Sequence, residues 1–145
     1  MQKLILYLLI LNLSSFALGQ QVIKNEKANT SQIKLVVVEN DGLFGLISNA
    51  GKLIVKPRYD MIGEFGEYKA DWALVQKNCL FGFIDTNGKE VVKPRYDMIG
   101  DFGEYKDDWA LIQKDCLFGF INLDGKEIVK PRFDYISDDF ISKMK

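Results

Sequence analysis

A block of 37 residues is written three times in succession with no insertion between copies, and this period decides the architecture before any single residue is weighed. Lys56-Pro57-Arg58-Tyr59-Asp60 returns as Lys93-Pro94-Arg95-Tyr96-Asp97 and as Lys130-Pro131-Arg132-Phe133-Asp134. Phe44-Gly45, Phe81-Gly82 and Phe118-Gly119 keep the same step. The copies run 35–71, 72–108 and 109–145, and each matches the next at 22 of 37 positions. Such likeness describes one supersecondary unit used three times, each copy burying its apolar face on its neighbour.

Within a copy the pattern is β. Trp72–Lys77 and Leu80–Asp85 are strand candidates rich in aromatic and β-branched residues. Asn87-Gly88 is a hairpin signal, because both residues tolerate positive φ. Asp124-Gly125 stands there in the third copy and Ala50-Gly51 in the first. Glu90–Lys93 predicts a third strand, stopped by Pro94, which cannot donate a ladder hydrogen bond. Arg95–Asp108 reads as a connector with one short helical turn around Asp97–Gly100. The glycines at 45, 82 and 119 lie inside strands and mark a close approach, expected from an aromatic ring of a neighbouring copy. No segment has a sustained 3.6-residue apolar period, so almost no helix is expected past the N-terminus. The expected fold is all-β: three three-stranded units in a short solenoid-like or open curved array, with a partial propeller-like arrangement as the alternative. The divergent end after Asp134 is expected to cap the stack.

The N-terminus has a different character. Lys3, the apolar run Leu4–Leu11, and Ala17 and Gly19 form the three regions of a secretory signal, with cleavage expected before Gln20. The run falls short of the roughly 20 apolar residues that cross a bilayer, so no stable membrane span is expected. Residues 20–34 are polar and read as a flexible leader or a loose first strand. The expected location is outside the cell, in the periplasm or in the cell envelope.

The repeated residues resemble the WG-repeat family of bacterial proteins. That family's pattern of a turn, Trp-Gly-Phe-Ile-Asp, Gly-Lys, β-branched residues, Pro and Tyr-Asp is similar to Asn78–Asp85 followed by Asn87–Asp97, and the resemblance covers 35 to about 137. The family tryptophan is Phe44, Phe81 and Phe118 in this chain, and its turn glycine is kept at Gly42 but becomes Cys79 and Cys116. The resemblance implies a β-repeat module used for interaction, with no reaction, cofactor or ligand attached.

Composition narrows function by exclusion. The chain has no histidine and a formal net charge of −1, so it lacks the commonest general base and any strong pull toward nucleic acid. No metal-ligand or cofactor pattern is present. Cys79 and Cys116, at one position of adjacent copies, form a disulfide or remain two thiols that replaced a glycine. Arg58, Arg95 and Arg132 read as a partner-contacting ladder or as ion pairs to the next copy, with Asp60, Asp97 and Asp134 capping turns. Phe81, Phe83 and Trp72 are expected in the core, whereas Tyr68 and Tyr105, set among connector charges, are expected to be exposed contacts. The resulting expectation is an exported, non-enzymatic module that binds another protein. A glycan-binding module using aromatic rows is the alternative, and an enzyme the least favoured reading.

Overall fold

The computed structural model describes residues 34–143. The expected secretory signal and nearly all of the expected leader lie outside the described residues. What is described is a set of antiparallel meanders in tandem, with no closed barrel. The first sheet joins β1 (Leu35–Asn40), β2 (Leu43–Ser48) and β3 (Leu53–Tyr59). The second joins β4 (Met61–Ile62), β5 (Trp72–Lys77), β6 (Leu80–Asp85) and β7 (Glu90–Tyr96). The third repeats it with β8 (Met98–Ile99), β9 (Trp109–Lys114), β10 (Leu117–Asn122) and β11 (Glu127–Phe133). The fold is thus the expected all-β repeat array.

Three local expectations change. The helical turn around Asp97–Gly100 is absent. Met98–Ile99 is instead a two-residue strand whose Ile99 lies opposite Ile112 of the following copy. Two of the three sheets therefore have four strands, because each copy lends its successor a short edge strand. The third strand of each copy also runs through its proline. β7 continues past Pro94 to Tyr96 because it is an edge strand and its register against β6 shifts, so no ladder partner waits for the missing N–H. Finally, the strand glycines face backbone rather than a ring. A Cβ on Gly82 would stand 2.4 Å from Val92 O and 2.6 Å from Pro94 N.

The core lies between sheets. Leu46, Val55 and Tyr59 of the first copy pack with Ala73, Val75 and Ile84 of the second. Phe83, Val92 and Tyr96 of the second pack with Ala110, Ile112 and Ile121 of the third. No copy could bury this surface alone, which is why the unit recurs. Full burial of a ring such as Phe83 contributes about 1.5–3 kcal/mol.

The chain turns away after β11 into a helix, α1 (Asp138–Lys143). Ser137 caps it through its Oγ, 3.3 Å from the Phe140 amide, and Lys143 closes on Asp139 at 2.6 Å. Phe140 lays its ring on Phe133, centroids 5.0 Å apart. The end that diverges in sequence folds back on the last strand through a short helix that the apolar period did not announce.

Candidate functional site: the junction between repeats and the cationic edge

The pentapeptide that marks each copy is spent at the junction with the next. Tyr59 is fully buried and its hydroxyl donates to Glu90 Oε1 at 3.0 Å, across the boundary between copies. Arg58 Nη2 donates to the same hydroxyl at 2.9 Å and stands 3.4 Å from the same carboxylate oxygen. The second junction repeats this. Tyr96 donates to Glu127 at 2.7 Å, and Arg95 stands 3.2 Å from Glu127. A buried hydroxyl requires a partner, and a half-buried carboxylate is held by the guanidinium beside it. Burial raises the pKa of Tyr59. Burial, helped by the bond to Glu127, pushes Tyr96 from 10.0 up to about 12.

The aspartates reach the same way. Asp60 Oδ2 accepts the Asn78 amide at 2.5 Å, and Asp97 Oδ2 accepts the Asp115 amide at 2.6 Å. These amides belong to hairpin turns whose corner residues hold positive φ: Asn78 at 54° and Cys79 at 63°, Asp115 at 54° and Cys116 at 64°. Each Asp therefore fastens the turn of the copy that follows.

Arg58 and Arg95 are thus ion-paired to the following copy, while Arg132 lies over the Phe133 ring at 4.9 Å. Among the described residues no carboxylate stands with Arg132. Tyr68 and Tyr105, expected outside, are half-buried. They pack edge-on against Phe83 and Phe120 at 5.2 and 5.6 Å, because the connector folds back over its own sheet. Trp72 is buried, and Lys69 Nζ covers its ring at 4.4 Å while donating to Leu123 O at 2.7 Å. Phe83 is in the core and Phe81 packs against it. Cys79 and Cys116 are unbridged and exposed.

Sequence reasoning missed Glu90 and Glu127, the acids that complete the junction. One signal marked them: the first copy has Leu53 at their position. It also passed over Lys56, Lys93 and Lys130. These are exposed at one register position of β3, β7 and β11, two residues before the half-exposed arginines. The edge strands therefore carry a row of cations on rigid backbone. Shallow clefts flank the third sheet, one of about 210 Å³ lined by Tyr105, Leu111, Phe118, Tyr135 and Ile136. Among the described residues no three acidic or cysteine side chains are grouped to hold a metal ion, and no helix is long and apolar enough to cross a membrane.

Sheets that share their cores only with their neighbours, tied by one recurring polar contact, define a tandem β-repeat protein. The chain belongs to the WG containing repeat family, whose pattern matches at 44–78, 81–115 and 118–142. Neither a curated protein nor a solved structure matches it.

Proposed function

We propose that this protein is an exported, non-enzymatic interaction module that binds another protein of the cell envelope or exterior through its cationic edge. The observation that carries the reading is the row of Lys56, Lys93 and Lys130, exposed at one position of three edge strands. Cations repeated at a fixed step on β-strands suit an extended acidic segment of a partner, since complementary charge steers encounter and sets register. The edge is closed to strand pairing by Pro57, Pro94 and Pro131, so recognition falls to side chains. Export rests on the pattern of Met1–Gly19. The glycan reading has less support, because the aromatic rows are turned inward and Tyr135 is the one strongly exposed ring among the described residues.

The test is capture of envelope proteins by the purified protein, beside a variant with Lys56, Lys93 and Lys130 all changed to Glu, with a glycan array in parallel. Capture that the variant loses, and that falls with salt, supports the reading. Glycan binding that survives in the variant, with no protein captured, overturns it.

A further inference from the structure

We infer that the two ends of the array are the two halves of one junction, and that the occupant of each is a second copy of this chain docked head to tail. The inference is independent of the envelope partner, since it concerns the purified protein alone. Four features of the internal junctions have their separate halves at the two ends.

The first is an edge strand. β5 and β9 each pair with a short strand lent by the preceding copy, flanked by bonds such as Asp60 N to Gln76 O and Gly63 N to Leu74 O, both 2.8 Å. Among the described residues no strand pairs with β1 on the side of Val38 and Glu39, the counterparts of Val75 and Gln76. At the far end Asp134-Tyr135-Ile136-Ser137, the counterpart of Asp60–Gly63, pairs with no strand, and Tyr135 is 78% exposed.

The second is a turn and its seat. Gly88 is pressed so closely on the preceding copy that an added Cβ would meet Val55 Cγ2 at 2.3 Å, and Gly125 sits on Val92 in the same way. Gly51, the counterpart in the first copy, has nothing within 4 Å. The counterparts of the seat, Ile128 and Val129, line an open cleft of about 430 Å³ with Phe140 on its rim.

The third is a carboxylate and an amide. Asp60 and Asp97 take the first corner amide of the next hairpin; Asp134 and the Asp41 amide are the corresponding pair at the ends.

The fourth is chemical. Where the internal junctions set Tyr59 against Glu90 and Tyr96 against Glu127, the ends offer Phe133 and Leu53. A glutamate facing Phe133, or a tyrosine facing Leu53, would leave a polar group buried without its partner. Both have changed together, hydrogen bond to apolar contact. A terminal copy built to face water takes polar residues on its outer face. This one goes the other way, with Leu53 49% and Val36 41% exposed where internal copies have Glu90 and the buried Ala73. Phe140 lies on Phe133 and has to swing aside for docking. The contact is therefore weaker than the internal ones and forms as concentration rises. A head-to-tail contact of this kind is heterologous, so it continues into chains or closes into rings.

Sedimentation of the purified protein over a range of concentrations tests this, with Leu53→Glu, Phe133→Tyr and the double variant. The wild type is expected to grow beyond two copies. Each single change is expected to weaken association about tenfold, as a buried polar group without its partner does, and the double variant to recover it. Leu53 is 49% exposed and Phe133→Tyr adds only a hydroxyl, so each variant is expected to fold, which circular dichroism and melting check. A monomer at every concentration overturns the inference, including one whose β1 amides are protected because upstream residues of the same chain cover the edge. So does an assembly that stops at two copies and is indifferent to Phe133→Tyr.

Discussion

The Tyr96 hydroxyl lies 2.7 Å from Glu127 Oε1, joining residues 31 positions apart in the chain across the boundary between the second and third repeats. Tyr59 and Glu90 do the same one repeat earlier, at 3.0 Å. This pair, set in an apolar junction, lets two sheets stack in a single register, because a hydroxyl buried there has one carboxylate to meet.

Removing one partner therefore costs more than removing both. Glu127→Leu strands the buried Tyr96 hydroxyl with Arg95 alone and is expected to destabilise by about 1–3 kcal/mol. Tyr96→Phe is expected to cost about 1 kcal/mol. The double variant reproduces the chemistry of Phe133 and Leu53 and recovers most of the loss. Urea denaturation of the four proteins gives the coupling directly, and simple additivity of the two losses would contradict it.

The same hydroxyl gives the fold an alkaline limit. The Tyr96 pKa is raised by burial from 10.0 in an unfolded chain to about 12. Between these values the unfolded chain has released a proton that the folded chain still holds, so stability falls as pH rises. The contribution is whole below pH 10 and is lost as pH climbs toward 12. Thermal melts should show a decline over this window that is smaller in Tyr96→Phe. An equal decline in both proteins would place its origin elsewhere.

The strand glycines are held by backbone contact. A Cβ on Gly82 meets Val92 O and Pro94 N, neither of which is the free end of a side chain. Gly82→Ala is expected to cost about 3 kcal/mol, the upper part of the range for overpacking. Gly42→Ala meets no atom within 4 Å and is strained only by its φ of 77°. It is expected to cost about 1–2 kcal/mol. Chemical denaturation of the two variants would reveal equal losses if contact were irrelevant.

The two cysteines occupy a glycine's conformation. Cys79 at 63° and Cys116 at 64° stand where the first repeat has Gly42. Cys79→Gly is expected to raise stability by about 1 kcal/mol by relieving left-handed strain. Both thiols are exposed and belong to hairpins of successive sheets. Sheets packed face to face lie about 10 Å apart, beyond the Cα separation of about 7 Å that a disulfide tolerates. Titration of unreduced protein is expected to return two thiols per chain, and a return of none on a monomer would contradict the hairpin placement.

Some of this was legible in the sequence because it is local. The spans Trp72–Lys77 and Leu80–Asp85 are marked by strand-forming residues and turn signals at their ends, and β5 and β6 have these limits. The period counts the units, and the family pattern follows from it. The outward placement of Tyr68 and Tyr105 was misread because charged neighbours describe a segment's surroundings in sequence, while the connector's fold over Phe83 and Phe120 depends on a surface formed by other strands. Met61–Ile62 is too short to carry a period, so its role as the edge strand of the next sheet depended on finding Val75 beside it.

The sequence by itself determined that there are three β-rich units and where their hairpins turn, since each follows from contacts within a few residues. Tertiary structure alone decided which face each unit gives its neighbour. Arg58, Tyr59 and Glu90 became one site because stacking brought together groups more than thirty residues apart, and their hydrogen bonds exist only where that stack excludes water.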